Sequence, residues 1–283
     1  MASPKTVEGP EGQQKVVLTS SSGASAEVFL HGAHVTSWKS NKGEELLFMS
    51  NKAIYAPPKA IRGGIPICFP QFGVLGPLGQ HGFARNSMFE IVEGSGESVT
   101  LSFRPSAEQQ KQFPHQFHLL ITVQIGSDRL TQTLQVQNEG SEPMPFTTAF
   151  HTYFLVSDVD NAHADLGTSG LTYQDNTKGR AESKLSGSSV KFQQEFDAIF
   201  VGAPDTIKVV DEKAGRTISV RKEGLPDAVL WNPWADKANG MADMGHDQYR
   251  NFLCVEPAVA ASGPIQLESG KSWSGTQILS LDS

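Results

Sequence analysis

Short segments in which apolar and polar residues alternate make up most of this chain. Residues 24–30, 98–104 and 128–138 each interleave strand-forming residues with polar ones. Successive side chains of a β-strand point to opposite faces, so this pattern predicts strands with one buried face. Residues 206–210 and 217–220 flank a glycine-containing turn, and they predict a β-hairpin.

Candidate strands recur at intervals of roughly 8 to 15 residues from about residue 15 to residue 281, whereas helical signals are few. Only residues 106–113 and 241–249 resemble short helices. This pattern predicts an all-β sandwich or barrel of roughly 15 or more strands. We expect a single domain over residues 1–283, with a flexible segment at about residues 1–14. The Ser/Gly/Lys-rich stretch 177–189 predicts a surface loop.

Composition and charge exclude several functional classes. Hydrophobic residues make up 38% of the 283-residue chain, which is typical of a globular protein with a large core. The net charge of -7 without a basic cluster argues against binding to nucleic acid or to an anionic membrane. There is no secretory signal and no membrane-length apolar run, so we expect a cytoplasmic protein. Cys68 and Cys254 lie among apolar residues, which predicts two buried thiols.

Two segments rich in glycine break the strand pattern and carry charge. Residues 61–73 (IRGGIPICFPQFG) place Arg62 beside two glycines and two prolines, which fits either a pocket wall or a structural crossover whose arginine forms a surface ion pair. Residues 79–86 hold Gln80, His81 and Arg85. This second segment fits a ligand-binding loop or a solvated loop.

Three further residues are candidates for chemistry. His151 lies in the apolar strand FTTAFHTYF, as a core histidine or as a proton-transfer group. Glu256 is the only charge in the last eight residues of NFLCVEPAVAA, so it either reaches solvent where the strand ends at Pro257 or serves a site. Asp197 in QEFDAIF fits a turn or a pocket. Trp231 fits a core or a pocket rim better than a sugar platform.

No standard nucleotide or zinc motif is present in the sequence: there is no GxGxxG, P-loop, HExxH or CxxC pattern. His115 and His118 fall at odd spacing on a predicted strand, so they face opposite sides and cannot chelate one metal together. We therefore expect neither a cofactor nor a metal.

Five motifs, IRGGIPICFPQFG, QHGFAR, FTTAFHTYF, WNPW and LCVEPA, occur in an order and at separations that resemble the glucose-6-phosphate 1-epimerases (hexose-6-phosphate mutarotases), especially the plant members. These enzymes belong to the galactose-mutarotase-like superfamily, so the resemblance implies a large β-supersandwich with few short helices. The resemblance extends from about residue 15 to residue 281. The implied activity is interconversion of the α and β anomers of glucose 6-phosphate. We expect a monomer, because nothing in the sequence demands an oligomer.

The resemblance also implies residue roles. His151 would be the catalytic acid and Glu256 the catalytic base, while Arg62, Gln80, His81, Arg85 and Asp197 would contact the substrate, the arginines holding its phosphate. His151 must then be protonated, so we expect Glu256 and Asp197 to raise its pKa. The alternatives are a sugar-phosphate-binding sandwich without activity, a mutarotase of unphosphorylated aldoses, and a carbohydrate hydrolase or lyase.

Overall fold

The computed structural model describes residue 4 and residues 6–282, and antiparallel strands dominate them. The strands are β1 (Thr6–Glu8), β2 (Gln14–Thr19), β3 (Ser25–Phe29), β4 (His34–Lys39), β5 (Ile67–Cys68), β6 (Glu90–Gly94), β7 (Ser98–Phe103), β8 (Phe117–Ile125), β9 (Arg129–Asn138), β10 (Met144–Phe146), β11 (Thr148–Phe150), β12 (Tyr153–Leu155), β13 (Ala162–Asp165), β14 (Thr172–Asp175), β15 (Ala181–Lys184), β16 (Ser189–Lys191), β17 (Phe196–Phe200), β18 (Thr206–Asp211), β19 (Arg216–Glu223), β20 (Asp227–Asn232), β21 (Phe252–Val259), β22 (Ile265–Leu267) and β23 (Ser272–Leu281).

Helices are short in the described part of the chain. The α-helices are α1 (Ala107–Gln112) and α2 (Trp234–Asn239), and the 3₁₀ turns are Pro10–Gly12, Ala84–Asn86, Val159–Asn161, Asn176–Lys178 and Gln248–Asn251.

Two large sheets carry most of the strands. One has eight strands in the order β15-β14-β17-β20-β21-β11-β5, with β12 also paired to β21, and the other has nine in the order β16-β13-β18-β19-β23-β9-β8-β7-β6. Strands β1 to β4 form a third sheet, and β10 pairs with β22. This architecture confirms the all-β prediction.

The main core lies between the large sheets, and the eight-stranded sheet also buries apolar residues on its other face. Val255 and Leu230 belong to the main core, where they join Leu134 and Val220 of the nine-stranded sheet. Their strand neighbours pack into two smaller clusters, one around Cys254 and Trp231 and one around Val229 and Ile199. Strand β21 is therefore buried on both faces, as its continuous apolar sequence requires.

Most predicted elements are confirmed within one or two residues. The hairpin of β18 and β19 pairs as expected, and β3, β7 and β9 cover the three alternating segments. Helix α1 lies inside the predicted range 106–113. Ser106 and Gln109 form a reciprocal capping box at its start, which satisfies backbone N–H groups that the first helical turn leaves free.

Three local predictions need correction or restriction. Residues 241–249 contain turns and the start of a 3₁₀ turn instead of an α-helix, and the helix of this region is α2, where the sequence predicted none. The stretch 177–189 is not only a loop, because it contains β15. The flexible segment expected at residues 1–14 falls partly on residues 1–3 and 5, which lie outside the described residues, and β1 within it pairs with β2.

Both cysteines are buried and free of disulfide bonds, as predicted. Among the residues that the structure describes, no helix is long and apolar enough to cross a membrane.

Candidate active site

All seven residues selected from the sequence line one pocket of about 520 Å³ on the outer face of the eight-stranded sheet. They are Arg62, Gln80, His81, Arg85, His151, Asp197 and Glu256. The volume of the pocket lies within the range of small-molecule sites. We call it the candidate pocket.

The floor of the candidate pocket follows directly from strand register. Asp197 pairs with Trp231 across β17 and β20, and Trp231 pairs with Cys254 on β21. Two residues further along, Val229 pairs with Glu256. Residues two apart on a strand share a face, so both rows point out of the main core and toward the candidate pocket.

His151 lies at the break between β11 and β12, where regular pairing is interrupted. Its backbone N–H donates a hydrogen bond of 3.0 Å to the carbonyl oxygen of Pro66. Its ring stacks on Tyr153 at 4.8 Å between centroids and meets the edges of Trp231 and His81 at 5.6 and 5.4 Å. Aromatic walls therefore fix the imidazole in one orientation.

Glu256 is 1% exposed, although the sequence allowed it to reach solvent at the end of the strand. Strand β21 continues through Pro257, so the carboxylate stays inside the candidate pocket. Its Oε1 atom lies 3.2 Å from Nδ1 of His151. Neither His151 Nδ1 nor Glu256 Oε2 has a well-directed hydrogen bond among the described residues.

The charge state of this pair differs from the expectation. Burial lowers the pKa of His151 well below its usual value, and the nearby His81, Arg85 and Arg62 lower it further. Burial, followed by the charge of Asp197, raises the pKa of Glu256 well above its usual value. The prediction that carboxylates raise the His151 pKa is therefore wrong. Burial favours the neutral form of both side chains, a protonated Glu256 and an uncharged His151.

Arg62 reaches the candidate pocket from a segment that is hydrogen-bonded to two neighbouring parts of the fold. Gly64 accepts a hydrogen bond of 2.9 Å from the Tyr153 N–H, and the Gly63 carbonyl lies 2.7 Å from Nε2 of His34. The Arg62 guanidinium donates to the Tyr153 hydroxyl at 3.0 Å and to Asp243 at 3.2 Å. Both alternatives for Arg62 thus apply, since it lines the pocket and forms an ion pair.

His81 and Arg85 present hydrogen-bond donors. Nδ1 of His81 accepts the Gly73 N–H at 3.1 Å, which leaves Nε2 to carry the proton. Burial, with smaller contributions from Arg85 and Arg62, lowers the pKa of His81 to about 3, so the ring is a neutral donor. Arg85 donates to the Gln80 carbonyl at 3.0 Å, and its buried Nε has no partner among the described residues.

The opposite wall contains Asp197 and several residues that sequence reasoning missed. Asp197 accepts a hydrogen bond of 2.6 Å from Asn176, and burial raises its pKa. Arg180 and Lys237 also line this wall. Arg180 follows a glycine inside the stretch predicted as a surface loop, and Lys237 lies on the unpredicted helix α2. Lys237 ends the sequence WNPWADK, and its position beside the WNPW motif could have marked it as a site residue.

Comparisons with known proteins identify a family. The aldose 1-epimerase family model matches residues 14–280. A candidate glucose-6-phosphate 1-epimerase of Cenchrus ciliaris is 45% identical over 97% of this chain and 86% of its own length. A protein of Escherichia coli with the same description is 33% identical over 83% of this chain and 80% of its own length.

Solved structures show the same fold. A crystal structure of a candidate mutarotase from Salmonella typhimurium matches with a TM-score of 0.84 and 28% identity, over 99% of this chain and 97% of that one. The galactose-mutarotase-like sandwich expected from the sequence motifs is thereby confirmed.

Proposed function

Because the chain belongs to the aldose 1-epimerase family, and is thus an isomerase, we propose that it interconverts the α and β anomers of hexose 6-phosphates such as glucose 6-phosphate. Relatives described as candidate glucose-6-phosphate 1-epimerases support the phosphorylated substrate. One observation carries the acid–base assignment: His151 and Glu256, 105 positions apart in the chain, meet at 3.2 Å in a pocket that suits a hexose phosphate.

The proposed reaction opens and closes the sugar ring. The Glu256 carboxylate removes the proton of the anomeric hydroxyl while the His151 imidazolium donates a proton to the ring oxygen, so the ring C–O bond breaks and an aldehyde forms. Rotation about the C1–C2 bond and reversal of both proton transfers closes the ring on the other face. The two residues return to their starting protonation states.

The reactive charge state requires one proton transfer within this pair. Moving a proton from Glu256 to His151, whose Nδ1 lies 3.2 Å from Oε1, gives the carboxylate and imidazolium that the reaction uses. A bound phosphate dianion favours this shift, because it offsets the positive charges of Arg62 and Arg85 that lower the His151 pKa.

We propose that Arg62 and Arg85 bind the phosphate and that neutral His81, Gln80 and Asp197 contact sugar hydroxyls. Guanidinium groups match phosphate oxygens and stay charged at neutral pH. The unpartnered Nε of Arg85 is a free donor for this purpose. Arg62 already forms an ion pair with Asp243, which competes with a phosphate for the guanidinium. Unphosphorylated aldoses are therefore the alternative substrate class.

We further propose that the protein acts in the cytoplasm as a monomer. One chain contributes all seven predicted site residues, so these residues form the site without a second copy. Two free buried thiols fit a reducing compartment.

Anomer exchange of glucose 6-phosphate, followed by NMR magnetisation transfer, tests the proposal. We expect His151→Ala and Glu256→Gln each to lower kcat at least about 100-fold, since a positioned proton donor or acceptor contributes about 10²–10⁴ in rate. The exposed residues His246 and Glu44 supply the matched controls His246→Ala and Glu44→Gln. Wild-type exchange rates in a folded His151 or Glu256 variant would remove that residue from the mechanism.

A further inference from the structure

Cys254 completes a group of three potential metal ligands with His151 and Glu256, the two of them that line the candidate pocket. Its Sγ, a ring nitrogen of His151 and a carboxylate oxygen of Glu256 all lie within 4.8 Å of one another. Cys254 and Glu256 are two residues apart on β21, so they share the face toward the pocket. The proposed reaction gives no role to the thiol.

Each member of the trio is buried, and two of the ligand atoms are unpartnered. His151 is 7% exposed, Glu256 is 1% exposed and Cys254 is fully buried. Nδ1 of His151 and Oε2 of Glu256 have no hydrogen-bond partner in the described part of the chain. A buried polar atom without a partner costs free energy, and a metal ion bound to Nδ1 of His151 and to the Glu256 carboxylate would reduce this cost.

We propose that His151, Cys254 and Glu256 form an inhibitory binding site for Zn²⁺. Nitrogen, thiolate sulfur and carboxylate oxygen are the zinc ligands of proteins, and tetrahedral sites with three protein ligands leave one position open. Bonds of about 2.0 to 2.3 Å place tetrahedral ligands about 3.3 to 3.6 Å apart. The contact of 3.2 Å between His151 Nδ1 and Glu256 Oε1 is close to this separation. The Cys254 Sγ atom lies within 4.8 Å of both ligand atoms, so it has to approach by at most about 1.3 Å.

Charge balance permits zinc despite two nearby guanidiniums. On binding, Cys254 and Glu256 each lose a proton to solvent, so the two negative ligands neutralise the divalent ion. The complex therefore adds no net charge beside Arg62 and Arg85. Since His151 and Glu256 line the candidate pocket, we expect the ion to enter from there and a water molecule to complete the tetrahedron.

Inhibition follows from the shared residues, and this step rests on the proposed function. A zinc ion bound to His151 and Glu256 occupies the proton donor and the proton acceptor of the proposed reaction. Zinc and hexose 6-phosphate should therefore compete, and a chelator should restore activity in full. Magnesium should have no effect, because it prefers oxygen ligands in octahedral geometry.

Direct metal binding tests the site independently of catalysis. Purified protein is incubated with Zn²⁺, desalted, and assayed for bound zinc with a chromogenic chelator, and Co²⁺ serves as a spectroscopic probe of thiolate coordination. We expect one ion per chain, and a loss of affinity of about 100-fold or more in Cys254→Ala, since even residues that only support a ligand change metal affinity by about 10–100-fold. Cys68→Ala, at the other buried thiol, is the matched control.

The outcomes separate the two proposals. If Cys254→Ala exchanges anomers but resists zinc while Cys68→Ala stays sensitive, the site is supported. If Cys254→Ala and wild type bind zinc equally, or wild type binds none, the site is wrong even when the enzyme is active. One bound zinc in a wild-type protein without anomerase activity would support the site and overturn the proposed function. Cys254→Ser replaces the alanine variant if that one does not fold.

Discussion

Replacing the buried acid Glu256 with glutamine should stabilise the protein increasingly as the pH rises. The folded protein keeps a proton on Glu256 at pH values where the unfolded chain has already released it, because burial raises the pKa of this carboxyl group. The unfolded state then binds fewer protons than the folded state. Stability of the wild type therefore falls with increasing pH above the unfolded pKa of 4.5, and glutamine removes this loss.

The size of the effect follows from linkage. Each pH unit between the unfolded and folded pKa values costs about 1.4 kcal/mol, so the advantage of Glu256→Gln should grow by about 2.7 kcal/mol from about pH 5.5 to about pH 7.5. This figure is an upper limit, reached if the folded pKa lies above that range. At roughly 2–4 °C per kcal/mol, it corresponds to a difference in Tm of roughly 5–10 °C.

Urea denaturation of both proteins at the two pH values measures this difference, and Glu44→Gln controls for the loss of one exposed carboxylate. The opposite result is well defined. If Glu256 is ionised and paired with a protonated His151, glutamine leaves a buried charge without its partner and destabilises the protein. A constant or shrinking advantage with increasing pH would therefore refute the assignment of the proton to Glu256.

Two further predictions concern the segment that carries Arg62. Arg62→Ala should raise KM for glucose 6-phosphate about 10- to 100-fold, the equivalent of one charged hydrogen bond, and should change KM for glucose far less. Equal changes in the two KM values would show that Arg62 does not bind the phosphate. Arg104→Ala, at an exposed arginine, is the control. Gly64→Ala should lower the free energy of unfolding, measured in urea, by about 1–3 kcal/mol more than Gly215→Ala. Both glycines have φ near +60°, but only at Gly64 would a Cβ collide with a neighbour, the Val35 carbonyl. Equal losses would mean that the segment can shift.

The strands were predictable because their information is local. Alternation in residues 128–138 specifies which side chains face the core, and β9 forms there with the expected pattern of burial. The helix at 107–112 was predictable for the same reason, since Ser106 and Gln109 supply both halves of its cap. Helix α2 was missed because Pro233, which precedes it, makes no side-chain cap and the sequence WNPW reads as a turn.

The site was predictable in its members but not in its electrostatics. Family resemblance selected the seven residues, and the structure brings them to one pocket. Their charge states depend on burial and on neighbours from other strands, which no local pattern contains. The implied reaction required Glu256 as a carboxylate and His151 as an imidazolium, whereas the desolvated interior favours the neutral form of each. Arg180 escaped notice because a loop residue acquires its position only from the sheet that carries the loop.

Because this pair is neutral, a bound phosphate could contribute to catalysis as well as to binding. Burial opposes a charged His151, and so do the nearby His81, Arg85 and Arg62. A dianion beside the two arginines would offset their contribution. The proton then needs to move only along the contact between Glu256 and His151, without exchange with solvent. Binding energy from the remote phosphate is thus converted into the charge state that the reaction at the anomeric centre requires.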